Sequence, residues 1–234
     1  MNNYFYNKKK RNLIGKVKNL SLVAKIIVLN VAIYLLTLIL ASLNINFIDY
    51  LALNPSNIIK GKYLWTLLTH MFTHVLAIHL VINMFALFSL GSLCEKIIGK
   101  KRFLWFYIIS GVFAGLLSVF LSLLFGNTAI GERIFGSPNI AMIGASGAIF
   151  AIAGLYVMLL PRLRFMIIFL PFFTLPAYVM IPLALGVFWI ASIIGNLPIG
   201  NVAHFGGLLA GLVYGLFLKM KYRNKINKLQ KMFR

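Results

Sequence analysis

Ser146 and His204 are the two residues of this chain with the clearest potential for chemistry. Each stands where an apolar stretch begins, Ser146 within the run Gly144-Ala145-Ser146-Gly147 and His204 directly after Ala203. A serine hydroxyl attacks an amide only when a base accepts its proton, and a neutral imidazole can be that base. A simpler interpretation stands beside this one, because Ser, Gly and single His residues also serve helix packing in membranes. The pair predicts a nucleophile with its base if the two stretches touch.

His79 and Asn83 form a second polar group, one helical turn apart on one face of another apolar stretch. Polar side chains inside a membrane span cost free energy, so they are functional candidates by default. The oxyanion of an acyl-transfer intermediate needs preorganised hydrogen-bond donors. We therefore expect three donors at this level of the membrane: the Ser146 backbone N–H at a helix start, the His79 ring and the Asn83 amide.

Composition defines the elements that must position these side chains. The chain has 234 residues, of which 61% are hydrophobic and 11% are charged, and a soluble domain cannot bury so much apolar surface. The sequence predicts an all-α polytopic membrane protein with six transmembrane helices, since a span needs roughly 20 apolar residues. The predicted spans cover residues 22–43, 74–94, 103–125, 145–161, 177–195 and 203–219.

The connections between these spans differ in character. Residues 44–73 mix apolar and polar side chains, which predicts an interfacial loop between helices 1 and 2. Residues 126–143 are rich in Gly, Asn and Pro, which predicts a second loop. Residues 165–175 are apolar but contain Pro171, so we expect a segment that does not span. The chain divides into a basic tail (1–21), a six-helix domain (22–219) and a second basic tail (220–234). No cleavable signal is expected, because the first apolar run is too long.

The distribution of charge predicts orientation. The chain has 23 Lys and Arg but only three acids, Asp49, Glu95 and Glu132. Twenty of the basic residues lie in the two tails, at Lys25, or in the connections between spans 2 and 3 and between spans 4 and 5. The other three are Lys60, Lys62 and Arg133. This pattern predicts a multi-pass membrane protein with both termini cytosolic and the site opening to the extracytoplasmic side. The expected location is a bacterial cell membrane. A net charge of +20 makes nucleic acid a candidate partner. The position of the charges at the ends of apolar runs argues against it, so the lipid bilayer is the expected partner.

Small residues predict that the fourth and sixth helices touch. Glycine or alanine recurs at every fourth position of the sixth helix, and the fourth helix offers a matching face, so the two backbones can approach closely. Gly144 is expected to turn the loop into the membrane, and Phe150 to provide a ring on which His204 stacks. No acid is placed to complete a triad. The small residues are Ala203, Gly207, Gly211 and Gly215 on the sixth helix, and Gly147, Ala151 and Gly154 on the fourth.

Other kinds of site lack their parts in this sequence. There is no HExxH zinc motif and no intramembrane aspartate pair, and the single Cys94 cannot form a disulfide framework, so neither metal nor cofactor is expected. A transporter or channel is a second alternative. Its spans would need acidic residues or an internal repeat, and neither is evident.

Three motifs in order resemble the rhomboid family of intramembrane serine proteases: the His74–Met84 stretch, the Gly144–Gly147 run and Ala203–Gly207 followed by Gly211. The resemblance covers roughly residues 45 to 219 of the chain. It implies a six-helix core with a Ser146–His204 dyad and an oxyanion site formed by the Ser146 backbone, His79 and Asn83. It also implies transmembrane protein substrates, cut near the outer ends of their helices.

Two residues depart from the family pattern. Thr66 follows Trp65 where the family commonly has Arg, and Phe150 stands where some members have Tyr. Glu95 matches a family position at the inner end of the second helix and is expected to be structural. The alternative from another class is a catalytically silent relative that binds or escorts transmembrane clients. It requires Ser146 or His204 to be absent or misplaced. The sequence defines no oligomeric state.

Overall fold

The structure is a computed structural model that describes residues 20–167, 170–195, 197 and 199–233. Nearly all of the predicted N-terminal tail (1–21) therefore lies outside the described residues, as do parts of the 165–175 segment and of the connection before the last span. The helices, in chain order, are α1 (Leu22–Ser42), α2 (Pro55–Ile59), α3 (Thr66–Thr69), α4 (Ala77–Ile98), α5 (Lys100–Phe125), α6 (Ala129–Phe135), α7 (Ser146–Leu159), α8 (Ala177–Gly195), α9 (Asn201–Lys221) and α10 (Arg223–Met232).

Five helices in the described part of the chain are long and apolar enough to cross a bilayer: α1, α4, α5, α8 and α9. This confirms a polytopic helical membrane protein and five of the six predicted spans. The sixth, predicted at 145–161, is the 14-residue helix α7, which is shorter than the roughly 20 residues a span needs. Helix length alone therefore does not support a count of six. Most of α7 is buried among the other helices, so it does not need to match the bilayer at its surface.

Helix α4 contains one widened turn of π-helix at Leu87–Gly91. A π-turn locally disrupts the regular ladder of backbone hydrogen bonds, and such turns are frequent at functional sites. Here the Leu90 carbonyl accepts a hydrogen bond from the Tyr156 hydroxyl of α7. The widened turn thus connects the helix that carries His79 with the helix that begins at Ser146.

The segment between α1 and α4 is ordered by contacts with other parts of the chain. Leu53 and Met142 exchange both backbone hydrogen bonds, at 2.9 and 2.8 Å, which joins this segment to the connection before α7. Met71 occupies the space left by the missing side chain of Gly111 on α5. The predicted interfacial loop is therefore a set of short helical turns packed on the bundle.

Three connecting regions differ from a plain loop or tail. The 126–143 loop contains α6, and the C-terminal tail contains α10, whose Ile226 is buried against the bundle. The 165–175 segment does not span, as predicted, but forms an antiparallel hairpin of β1 (Arg164–Ile167) and β2 (Leu170–Pro176). The all-α prediction missed this hairpin because an apolar run interrupted by Pro has no helical or strand period that distinguishes the two.

The predicted contact between the fourth and sixth helices is confirmed as the contact between α7 and α9. A methyl group on Gly207 would overlap the Gly147 carbonyl oxygen, and one on Gly211 would overlap the Ala151 carbonyl oxygen. Gly154 of α7 faces the backbone of Leu208 in the same way. Backbones this close are possible only between small residues, so the glycine stripe sets the distance between the two helices.

Candidate active site

Ser146 and His204 meet at one end of the α7–α9 contact. The Ser146 Oγ and His204 Nε2 atoms are 2.8 Å apart, within hydrogen-bond distance. Ser146 is the first residue of α7, and His204 lies in the first turn of α9. This distance is the one expected for a serine whose proton is accepted by an imidazole.

Packing holds the His204 ring. The rings of Phe150 and His204 are stacked with centroids 4.5 Å apart and planes inclined by 20°. Phe150 lies one turn after Ser146 on α7, so the helix that carries the hydroxyl also supports the base. His204 Nδ1 is buried and has no hydrogen-bond partner in the described residues. The ring is therefore oriented by an aromatic neighbour and by Ser146, not by a carboxylate.

Gly144 gives the chain its turn into α7. Its φ angle is +116°, a conformation that side chains rarely tolerate, and its N–H donates to the His70 carbonyl at 2.8 Å. A Cβ on Gly144 would lie 2.8 Å from Cε1 of His79. The glycine therefore allows both the turn and the close packing of the His79 ring beside the start of α7. The Ser146 N–H, at that start, belongs to the first turn, whose amides have no partner within the helix.

Asn83 lies one turn below His79 and is buried. Its side-chain amide donates to the His79 carbonyl at 2.9 Å. An amide group carries two hydrogens, so this bond leaves one for a further acceptor. The geometry fixes the orientation of the Asn83 side chain, whereas its role as an oxyanion donor stays a prediction.

Two more histidines lie behind the site. His74 is fully buried, its ring meets the His79 ring edge-on at 5.0 Å, and neither ring nitrogen has a partner in the described residues. Burial, with a smaller effect of a charge on His79, lowers the pKa of His74 to about 4. His70 donates from Nδ1 to the Thr66 carbonyl at 2.8 Å, and burial lowers the pKa of His70 to about 4 as well. Both are therefore neutral near pH 7.

Gly147 has a different neighbour from the one its predicted role implies. The nearest atom to a Cβ at this position is the Ala114 Cβ of α5 at 3.0 Å, followed by the Ala203 carbonyl oxygen of α9 at 3.5 Å. The close approach of α9 is instead made by Gly207, against the Gly147 carbonyl. The missing side chain of Gly147 therefore makes room mainly for α5, and α9 lies slightly farther away.

Sequence reasoning missed the part played by α5. Gly111 accepts the Met71 side chain, and a Cβ on Gly115 would lie 3.0 Å from Cε1 of His70. Both glycines therefore seat the interfacial segment that supports Gly144. The signal was visible as a pair of glycines four residues apart, the pattern used to predict the α7–α9 contact.

The two departures from the family motifs have local explanations. Thr66 stands where Arg is common, and it is buried. Its hydroxyl donates to the Tyr63 carbonyl at 2.7 Å. This bond stabilises Tyr63, whose φ angle is +53°. Phe150 keeps the stack on His204 without a hydroxyl. Glu95, expected to be structural, accepts the backbone N–H groups of Leu22 and Val23 at 3.1 and 2.9 Å and so caps α1.

A serine hydrogen-bonded to a histidine within a bundle of apolar helices defines a class of integral multi-pass membrane protein with a partly buried Ser–His pair. The comparisons with known proteins identify the class more closely. The model of the Rhomboid domain matches residues 61–221, and the chain belongs to the rhomboid family. The match includes all of the site residues described above.

Named relatives fall into two groups. The chain is 28% identical over 178 residues to the rhomboid protease GlpG of Haemophilus influenzae, covering 75% of this chain and 80% of the relative. It is 30% identical over 210 residues to the human presenilin-associated rhomboid-like protein, mitochondrial, covering 88% of this chain and 52% of the relative. The chain thus spans about half the length of that mitochondrial relative.

Proposed function

We propose that this protein is an intramembrane serine endopeptidase that hydrolyses peptide bonds in or near the transmembrane helices of membrane proteins. The observation that carries the proposal is the 2.8 Å distance between Ser146 Oγ and His204 Nε2 at the start of two helices held together by glycines. Membership of a family that includes proteins named as proteases supports it.

The proposed reaction uses Ser146 as nucleophile and His204 as the only proton carrier. His204 Nε2 accepts the hydroxyl proton while Ser146 Oγ attacks the substrate carbonyl carbon, and the imidazolium then gives that proton to the leaving amine. Water enters, loses a proton to His204 and attacks the acyl carbon of the ester. The bond from that carbon to Ser146 Oγ then breaks, His204 returns the proton to Oγ, and the carboxylic acid product leaves. The stack on Phe150 keeps the ring in place through both half-reactions.

The oxyanion of each tetrahedral intermediate would be stabilised by donors near the start of α7. The Ser146 N–H is free of an intrahelical partner and lies at the positive end of the helix dipole. His79, packed against Gly144, and the second amide hydrogen of Asn83 are the side-chain candidates. The positions of His79 and Asn83 support this assignment, and substituting each of them separately would test it.

The substrate and the orientation follow from the same proposal. A transmembrane segment approaches from the lipid, unwinds locally and presents a carbonyl to Ser146. The basic residues in the tails and in the connections between spans 2 and 3 and between spans 4 and 5 favour cytosolic termini. The site at Ser146 would then open to the opposite side of the membrane. We propose a bacterial cell membrane as the location, in line with the similarity to the rhomboid protease GlpG of Haemophilus influenzae.

The decisive experiment is cleavage of a single-span substrate by the purified protein in liposomes. We expect Ser146→Ala and His204→Ala to abolish cleavage and Ser146→Ala to abolish labelling by a fluorophosphonate, because each removes one partner of the proton transfer. Ser137→Ala is a matched control on the connection before α7, where the serine hydroxyl accepts a hydrogen bond from the nearby Asn139 N–H at 3.4 Å. Cleavage by either dyad variant at the rate of the parent would contradict the proposal.

The same experiment addresses the silent-relative alternative. A protein that only binds transmembrane clients would capture the substrate equally well as parent or as Ser146→Ala and would release no product. The enzyme hypothesis instead expects product from the parent and retention of uncut substrate by the variant.

A further inference from the structure

A groove lies at the end of the bundle away from Ser146, and it is called the basic groove here. It has a volume of about 520 Å³ and runs between α10 and the ends of α4, α5, α7 and α9. Ligand pockets commonly occupy roughly 300 to 1,000 Å³. Most of its lining residues are apolar and are called the floor here, whereas the exposed basic residues Lys96, Arg102 and Lys225 are called the rim. The apolar residues include Leu93, Ile97, Leu159, Leu218, Leu229 and Phe233.

Cations converge beside this groove on a single aromatic ring. The Arg102 guanidinium lies 5.3 Å from the Tyr222 ring centroid and donates to its hydroxyl at 3.2 Å. The ammonium groups of Lys221 and Lys225 lie 5.7 and 5.9 Å from the same centroid. Each contact with the ring is favourable, but three like charges around one ring repel one another. An anion placed between them would relieve this repulsion.

The acidic side chains of the protein do not supply that anion. Glu95 is the acid at this end, and its two oxygens accept the backbone N–H groups of Leu22 and Val23. Asp49 accepts a hydrogen bond from Asn46 in the first connection, and Glu132 lies on α6 in the third. The rim of the basic groove is therefore without a carboxylate partner among the described acidic side chains.

We propose that the basic groove binds one anionic phospholipid, with an acyl chain along the apolar floor and the phosphate at the rim. Basic pockets between transmembrane helices are a recurrent way to bind acidic lipid headgroups. A lipid fits both halves of the groove, since it combines a long apolar chain with a phosphate. An acidic peptide or a nucleotide would leave most of the apolar floor uncovered.

Charge also argues against the chain's own N-terminal segment as the occupant. Residues 1–19 contain only basic charges, at Lys8, Lys9, Lys10, Arg11, Lys16 and Lys18. Placing them at a rim of like charge is unfavourable. The lipid instead has the opposite charge and is present in the membrane around the groove.

Bound lipid would attach α10 to the bundle. The helix already reaches α7 through Gln230, whose side-chain amide donates to the Leu159 carbonyl at 3.0 Å, and through the buried Ile226. A lipid between α10 and the ends of α4 and α9 extends that contact. Since a ligand that binds only the folded state stabilises it, anionic lipid should raise the melting temperature of the whole protein. This inference is independent of proteolysis.

The test is a titration of the full chain, purified in neutral detergent, with phosphatidylglycerol, phosphatidylcholine or inorganic phosphate. Native mass spectrometry counts bound lipid, and a thermal melt measures stabilisation. We expect one phosphatidylglycerol to be retained and to raise the melting temperature, with little effect of phosphatidylcholine or of phosphate alone. In the variant Lys96→Gln/Lys225→Gln, the affinity should fall roughly tenfold to thirtyfold, from the usual value of a basic residue at a lipid headgroup.

The matched control is Lys228→Gln/Lys231→Gln, which removes the same charge from exposed positions of α10 outside the groove. Its affinity should stay within about threefold of the parent, because distant exposed charges are screened. Melts in phosphatidylcholine show whether each variant is folded. Equal loss of phosphatidylglycerol binding in both double variants, equal stabilisation by phosphatidylcholine, or equal stabilisation by phosphate alone would each overturn the proposal.

Discussion

His204 carries the main question at the scale of single residues, because its ring has no carboxylate partner. Nδ1 is buried without a partner in the described residues, while Nε2 faces Ser146. In a triad, an acid would hold the ring and stabilise its charged form. Here the Phe150 stack holds the ring, and no acid favours the charged state. Two consequences for activity and one for stability follow at this scale.

Phe150→Ala should lower kcat about threefold to tenfold, because an aromatic stack of this kind contributes about 0.5 to 1.5 kcal/mol and the ring would lose its orientation. Phe150→Tyr keeps the stack and is the matched control, so it should retain most of the parental rate. KM should change little in both, since Phe150 supports the base and does not hold substrate in the proposed reaction. Steady-state cleavage in liposomes measures kcat and KM separately. Equal rates for the two variants would show that the stack is dispensable.

Cleavage should decrease on acidification, because only neutral His204 has a free electron pair to accept the Ser146 proton. Measurement requires a substrate whose own titratable groups lie far from the cleavage site. The melting temperature is recorded at each pH, so that unfolding is separated from loss of the base. A flat rate across the acid range, with the protein folded, would contradict the role of His204.

His70 should make the folded protein less stable in acid. Burial lowers the pKa of His70 from 6.5 to about 4, so the unfolded chain takes up a proton before the folded one does. The stability due to neutral His70 is complete above pH 6.5 and is lost as the pH falls to about 4, at most about 3 kcal/mol. His70→Gln, which keeps a donor for the Thr66 carbonyl, should flatten the melting temperature in this range. An unchanged pH dependence would exclude His70 as the cause.

At the scale of elements, the contact between α7 and α9 determines whether Ser146 and His204 meet. Each helix contributes glycines that face carbonyl oxygens of the other. The hydrogen bond at the end of this contact depends on that backbone distance. A single added methyl group inside the contact must therefore separate the two side chains or disturb the bundle.

Gly207→Ala should reduce cleavage at least tenfold, because the new methyl group overlaps the Gly147 carbonyl and moves His204 away from Ser146. Gly186→Ala on α8 is the control, since nothing lies within 4 Å of a Cβ at that position. Cleavage and fluorophosphonate labelling report the site, and the melting temperature reports the bundle. If both variants cleaved at the parental rate, the close contact would not be needed for catalysis.

The sequence predicted this contact, but not the support beneath it. Small residues at every fourth position are a local pattern, so the α7–α9 contact and the pairing of Ser146 with His204 could be inferred. The bridge between Leu53 and Met142, the cap of Glu95 on α1 and the β1–β2 hairpin depend on residues far apart or on apolar runs without a clear period. Such contacts are decided by tertiary packing, which a single sequence does not display.

At the scale of the whole molecule, the two ends of the bundle differ in chemistry. One end holds the Ser146–His204 pair, next to the Gly144 turn that bonds to the interfacial segment, and the other holds the basic groove, which α10 lines. Helix α7 joins them, since it begins at Ser146 and its Leu159 carbonyl accepts the Gln230 amide. Helices α4 and α9 also extend from the groove to the site, since they line the groove and carry His79 and His204.

The length of α7 sets the depth of the reactive hydroxyl. At 1.5 Å per residue, its 14 residues extend about 21 Å, whereas the hydrocarbon core of a bilayer is about 30 Å thick. If Leu159 were at one membrane surface and α7 ran along the membrane normal, Ser146 would lie roughly 10 Å below the other surface. In the proposed reaction, the thickness of the bilayer would select which peptide bond of a substrate reaches the serine.

Hydrophobic mismatch should then change both the position and the rate of cleavage. In thicker bilayers a substrate helix shifts relative to Ser146 or tilts, so the cut should move along the substrate sequence and slow down. Phosphatidylcholine liposomes of increasing acyl-chain length, with mass spectrometry of the products, measure this shift. An identical cut site and rate at every thickness would mean that substrate sequence alone selects the bond. Membrane thickness would otherwise be a specificity determinant that no residue of the protein encodes by itself.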